Sequence, residues 1–246
     1  MRIALFALTG FGNPILRALK YLGAEVKLVA TRQETGPNPY YPERDFTEEA
    51  TEMGFSVMTS LPTPSQLNQL RLDVLLTATY HRILTAEHID AAPLALNLHP
   101  SLLPKYRGAS PIFWAIRNGE KQTGLSLHEL TTQVDQGRLW AQMSVDILPS
   151  ETQGSLRKKL ADASGTFLRK NLPAILENLV EPVEQDEKKA THYPRFDRDI
   201  HSQLDLQQTW EEVERHFRAL YPWPGTYVNG HLITTLEELR NYHTGA

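Results

Sequence analysis

The sequence predicts an α/β domain on a mostly parallel sheet, followed by a small helix and β-hairpin appendage. Three observations carry this. Continuous apolar runs of strand length stand at 3–7, 73–79 and 94–98, as strands covered on both faces require. Segments with apolar residues at helical spacing alternate with them, which is the pattern of β-α-β units with right-handed crossovers. Near the C terminus, Asn229-Gly230 sits between apolar residues, a strong hairpin signal. A chain of 246 residues has room for one generous domain and an appendage. The division falls at 1–185 and 186–246.

The elements follow in order. The run "MRIALFAL" is too short for a secretory signal and meets Gly10, Gly12 and Pro14 at once, so it reads as a buried first strand. Ile15, Leu16, Leu19 and Leu22 trace a helix that Gly23 closes. "EVKLVAT" is the second strand, and a proline-rich loop with Tyr40 and Tyr41 follows it. Helices at 46–53, 64–71 and 85–92 alternate with strands at 56–58, 73–79 and 94–98. "PIFWAIRNG" is a helix with Pro111 in its first turn and Gly119 as its stop. Strands at 123–130 and 137–147 come next. The longest periodic segment, 154–179, is an amphipathic helix that Pro173 should kink or split near its end. A charged connection leads to a helix at 206–220, the rigid turn "YPWPG" and the hairpin at 226–233.

Composition narrows the function. The net charge of −4 argues against a broad basic surface for nucleic acid. No apolar run reaches the length of a membrane span. With no cysteine there is neither disulfide, nor thiolate nucleophile, nor Cys-ligated zinc, which fits a cytoplasmic protein. The nine histidines show no metal-ligand spacing, so no metal is expected. "GFGNPI" lacks the third glycine of a dinucleotide fingerprint, and no acidic residue ends strand two. Gly10, Phe11 and Gly12 form either an anion-binding turn at a helix start or a plain tight turn.

The stretch "LNLHPSLLPKYRGASP" (96–111) is the chemical centre of the sequence. Asn97 and His99 share strand parity and so point to the same side. They end a strand of the sheet, where open α/β folds place ligands. Asp135 follows one helix and one strand later, in a loop before Gly137. An amide that can donate to an oxyanion, an imidazole that can move a proton and a carboxylate that can orient it make a sensible group. A core histidine with satisfied hydrogen bonds is the alternative, and both stay open on these residues alone.

Here the sequence resembles the formyltransferase family that uses 10-formyltetrahydrofolate. The motif stands as Asn97-Leu98-His99, Ser101-Leu102-Leu103-Pro104, Arg107-Gly108 and Asp135-Gln136-Gly137. "TATYHRIL" (77–84), "NGEKQTGLSLHEL" (118–130) and "YPWPG" are similar too, so the likeness covers most of the chain. The resemblance implies a Rossmann-like formyltransferase fold, with Asn97, His99 and Asp135 as catalytic residues. Asn97 and protonated His99 would stabilise the oxyanion, and Asp135 would orient His99 and help accept the amine's proton. The carrier's pterin would lie along Arg82, Ile83 and Leu84 and the loop Thr131, Thr132, Gln133 and Val134. Gly10, Phe11, Gly12, Tyr80, Ser101 and Arg107 would contact the second substrate, with the glycine turn and Arg107 on its phosphates. Leu103–Pro104 is expected to be cis.

Among the amines this family formylates, the helix at 206–220 followed by "YPWPG" looks most like the sugar-nucleotide enzymes. The implied substrate is therefore a nucleotide-linked amino sugar, although Ala109 stands where some of those enzymes have arginine. An aminoacyl-tRNA formyltransferase, a hydrolase of the same carrier and a non-enzymatic binding protein are the other readings. The resemblance also implies a homodimer, with Trp210 and Phe217 at its contact.

Overall fold

Two-residue alternation along the first strand sorts its side chains into two cores. β1 (Arg2–Ala7) is buried from Ile3 to Ala7. Ile3, Leu5 and Ala7 enter one apolar cluster, while Ala4 and Phe6 enter another on the opposite face. The computed structural model describes residues 1–34, 36, 38–42 and 44–244. After β1 come α1 (Gly12–Tyr21), β2 (Glu25–Ala30), α2 (Phe46–Glu52), β3 (Val57–Met58), α3 (Pro64–Gln69), β4 (Val74–Ala78), α4 (Ala86–Ile89) and β5 (Leu94–His99). The central part adds β6 (Arg107–Gly108), α5 (Pro111–Arg117), β7 (Gln122–Glu129), β8 (Leu139–Asp146) and α6 (Gln153–Leu176). The C-terminal part adds β9 (His192–Tyr193), α7 (Arg198–His201), α8 (Trp210–Leu220), β10 (Thr226–Val228), β11 (His231–Ile233) and α9 (Leu236–Thr244).

The main sheet has the order β3-β2-β1-β4-β5-β7-β8. β1 to β5 run parallel, and β7 and β8 join antiparallel beyond β5. The sheet is thus mostly parallel, as the sequence predicts. The chain builds outward from β1 to β3 and then crosses to β4 on the other side. That reversal opens a crevice at the C-terminal ends of the strands. Helices α1 and α6 pack together over one face. A Cβ on Gly165 of α6 would lie 2.7 Å from the Pro14 carbonyl, so glycine is what lets the two helices approach.

Several expectations need correction. α6 is one continuous helix through Pro173. The carbonyl that Pro173 leaves without a donor belongs to Arg169, which is exposed to solvent. Trp210 and Phe217, expected at a dimer contact, pack inward with Val213, Val228, Ile233 and Leu239. Arg240 covers the Trp210 ring, 4.7 Å from its centre. β9 pairs with β6, so the segment after α6 folds back onto the motif loop. The hairpin turns at Asn229 and Gly230, both with the positive φ (50° and 80°) that a two-residue turn of this type needs. Leu103–Pro104 is cis, as expected, and so are Tyr221–Pro222 and Trp223–Pro224. Among the described residues no helix is long and apolar enough to cross a membrane.

Candidate active site

One face of the sheet changes character along its strands. Its N-terminal part is apolar, with Ala4, Phe6 and Leu75 buried and Ala95 packed beside them. Toward the C-terminal ends the same parity brings Thr77 on β4 and Asn97 and His99 on β5. The antiparallel register with β7 then sets His128 opposite Asn97 and Ser126 opposite His99. Asp135 closes the group from the loop between β7 and β8.

The Asn97 amide is fixed at both ends. Its Oδ1 accepts from the Thr77 hydroxyl at 2.7 Å. Its Nδ2 lies 3.0 Å from His128 Nε2 and 3.3 Å from Asp135 Oδ1. His128 donates from Nδ1 to the Glu129 carbonyl at 2.8 Å, and its Nε2 faces both the Asn97 amide and Asp135 Oδ1. His99 donates from Nε2 to the Tyr106 carbonyl at 2.8 Å, and its Nδ1 faces Asp135 Oδ2 at 3.5 Å. The Gly108 N–H donates to that same Oδ2 at 2.8 Å. His99 and His128 are buried, Asn97 is half-buried, and the Asp135 side chain keeps 9% of its surface exposed.

The electrostatics differ from the sequence-based expectation of a protonated His99. Burial pushes the imidazole below its ordinary value and outweighs the nearby Asp135, which pulls the other way. For Asp135, burial raises the carboxyl, but His99, His128 and the Gly108 amide together hold it well below the usual carboxylate range. At neutral pH the pair is therefore a carboxylate facing a neutral imidazole. Two acceptors 3.5 Å apart form a seat for one incoming proton.

The segments expected to hold the carrier follow β4 and lie between β7 and β8 along the chain. Arg82 and Ile83 are exposed, with Arg82 Nε 3.2 Å from His81 Nε2. Thr131, Thr132, Gln133 and Val134 are exposed as well. Leu84 is buried in the apolar cluster that Tyr80 and Leu130 pack against, so its side chain is part of the floor. The Tyr80 hydroxyl is buried and has no hydrogen-bond partner among the described residues.

The structure does not support five of the six expected substrate contacts. The Arg107 guanidinium is wholly buried and engaged by Gln185 and Glu187, so it has no edge for a phosphate. Ser101 is inaccessible, and its hydroxyl donates to the Lys105 carbonyl at 2.8 Å. In the glycine turn, the Gly10 N–H is taken by Asn13 Oδ1 and the Gly12 N–H by the Leu8 carbonyl. Tyr41 lies against Gly10 and Phe46 against Gly12, and Phe11 is buried. The plain-turn reading is the one the structure shows.

His128 and Thr77 were not among the residues singled out from sequence. Thr77 is the one polar residue in an apolar strand run, which is its available signal, whereas His128 stands in an alternating strand that offers none.

The sequence model described as formyl transferase matches residues 3–172. The chain is 33% identical to a methionyl-tRNA formyltransferase of Geobacillus thermodenitrificans over 229 residues, covering 89% of this chain and 70% of that protein. It is 32% identical to the Bacillus subtilis methionyl-tRNA formyltransferase, covering 92% and 74%. Among solved structures, a Helicobacter canadensis N-formyltransferase in complex with folinic acid and dTDP-3-aminofucose shares the fold with a TM-score of 0.77. It is 19% identical and covers 94% of this chain and 85% of its own. A Shewanella sugar N-formyltransferase shares it with a TM-score of 0.73 at 15% identity, covering 96% of both chains. At these identities the structural likeness speaks for the fold.

Proposed function

The chain belongs to the formyl transferase family, and on that premise we propose that it moves a formyl group from 10-formyltetrahydrofolate to the primary amine of a nucleotide-linked amino sugar. The observation that carries formyl transfer is the joining of Asn97, His99, His128 and Asp135 around one half-open point of the sheet. The carrier supplies the electrophilic formyl carbon. The residues present fit such a molecule, because exposed Arg82 and Ile83 and the exposed loop 131–134 stand beside an apolar floor that Leu84 and Leu130 help form.

Asn97 Nδ2 turns the hydrogen it gives Asp135 Oδ1 at 3.3 Å to the formyl oxygen as negative charge develops there. Thr77 and His128 hold the amide, so little reorganisation is needed at that moment. One such donor accounts for roughly 10²–10³ in kcat. Asp135 takes the proton that the attacking amine loses, and His99 Nδ1 shares it. The Tyr106 carbonyl fixes the hydrogen on the other ring nitrogen, so Nδ1 is the only basic position. The pair then returns the proton to the leaving nitrogen. A positioned acid–base group of this kind contributes roughly 10²–10⁴.

The amine is argued from charge. Residues 203–244, which include the helix packed on α5, carry three arginines and no lysine against six carboxylates. Arg218 among them is tied to Glu214 and the Glu151 carbonyl. A tRNA backbone needs a surplus of cations, and a nucleotide-linked sugar does not. A second reading, transfer to a charged tRNA, is favoured by the names of the relatives at 31–36% identity. A panel of amines with 10-formyltetrahydrofolate, read by product mass, decides between them. Formylation of dTDP- or UDP-linked amino sugars supports the proposal. Transfer to charged tRNA alone would replace it with the second reading, and formate release without any amine would indicate a hydrolase.

A further inference from the structure

We propose that Gln185 is a positioning residue for the Asp135 carboxylate, and that Arg107-Gly108 serves Asp135 through it. The inference rests on the reading above, in which Asp135 takes the amine's proton.

Asp135 has φ +56°, left-handed backbone that a residue with a side chain holds at a cost of about 1 kcal/mol or more. Its surroundings must impose that conformation. Gly137 is part of the constraint, since a Cβ there would run into the Glu129 carbonyl. Gln185 supplies the rest. Its Nε2 donates to the Asp135 carbonyl at 2.9 Å and to the Gly137 carbonyl at 2.7 Å, so both amide hydrogens bind the loop.

The orientation of that amide is not free. Gln185 Oε1 accepts from Arg107 Nε at 3.1 Å and from a terminal nitrogen at 2.8 Å. A guanidinium only donates, so a flipped amide would aim N–H groups at a cation and oxygen at two carbonyls. Glu187 closes the other edge of Arg107 at 2.6 and 2.9 Å and balances its buried charge. The next residue, Gly108, gives its N–H to the Asp135 carboxylate at 2.8 Å. Residues 107–108 thus hold Asp135 twice: at the carboxylate directly, and at the main chain through Gln185. Both are anchored to the segment after α6, by Arg107 N–H to the Thr191 carbonyl at 2.9 Å and by the β6–β9 pairing. That segment carries no reacting group, yet it sets where the carboxylate stands relative to His99.

Gln185→Glu tests this. It keeps the length and the contact with Arg107, but turns both donors to the loop into acceptors. The expected result is a fall in kcat of about 10–100-fold with little change in either KM, because a displacement of about 1 Å is enough for such a loss. The His99 ring, which faces Asp135, His128 and the Tyr106 carbonyl, is followed by NMR through its own titration. Its midpoint should fall as the Asp135 charge moves away. If Gln185→Glu does not fold, Gln185→Met, equally long and without donors, is read in the same two ways. The proposal is overturned if the folded variant keeps the parent His99 midpoint, whether or not kcat falls, since a merely structural loss would lower the rate alone. The NMR readout needs no substrate. If the parent formylates no amine at all, the functional reading fails and the clamp is still decided.

Discussion

Asp135→Asn separates the charge of the carboxylate from its place in the fold. The amide keeps the size of the side chain and still accepts the Gly108 N–H, which now lies 2.8 Å from Oδ2. Its nitrogen then stands where Oδ1 does, 3.4 Å from His128 Nε2, so His99 Nδ1 faces a neutral oxygen across the present 3.5 Å. What disappears is the attraction between the carboxylate and a proton resting on His99. At 3.5 Å and an effective dielectric of about 20, that attraction is worth about 5 kcal/mol at most. General acid–base catalysis contributes roughly 10²–10⁴, so kcat should fall by about 10³ while both KM values stay within about threefold. Initial rates at saturating carrier and amine, with product quantified by mass, give the result. The folded state should also respond to acid differently. The Asp135 carboxyl lies below its unfolded value of about 3.9, so it stabilises the parent above that pH and the contribution is lost as pH falls toward the folded value. Asp135→Asn lacks this component and should show a shallower loss of stability in acid. A variant with kcat within about threefold of the parent would refute the assignment of the proton to Asp135.

Three further outcomes follow from the packing. Thr77→Val removes the hydroxyl that fixes Asn97 Oδ1 at 2.7 Å and should lower kcat about tenfold; an unchanged rate would show that the amide needs no such partner. Gly165→Ala places a methyl 2.7 Å from the Pro14 carbonyl and should cost about 1–3 kcal/mol in denaturant unfolding; a neutral result would mean that α1 and α6 can separate freely. His216, buried against Arg117 and the His201 carbonyl, is held down to about 4 by burial first and Arg117 second. Its unfolded form takes up a proton near 6.5, so its stabilising contribution is complete above that pH. It falls by up to about 3 kcal/mol as pH drops toward the folded value. His216→Gln should flatten the pH–stability curve across that window, and an unchanged curve would count against the burial argument.

What could be read from sequence was set by local rules. β1, β4 and β5 announce themselves because strands buried on both faces must be apolar throughout. Asn97 and His99 stand out because a polar pair at the same parity in such a run needs an explanation. Asp135 was reachable through its loop and through the family likeness. His128 was not, because its partner is fixed by the antiparallel register of β7 on β5, a long-range choice that alternation in β7 alone does not reveal. Gln185 lay in a charged segment that reads as a connection, and only the return of that segment through β9 gives it a role. Arg107 misled for the opposite reason. A cation beside a reactive motif suggests an anionic ligand, but here its charge is satisfied internally by Glu187. The glycine turn misled likewise, since its N–H groups are used by Asn13 and Leu8.

The central claim is that formyl transfer happens at the Asn97, His99 and Asp135 group. Its most direct test is the kcat of Asn97→Ala and His99→Ala in transfer from 10-formyltetrahydrofolate to a nucleotide-linked amino sugar, with folding of each checked by circular dichroism. The account predicts a folded protein in both cases and a loss of at least about 100-fold in each. Near-parent transfer by both variants would contradict it.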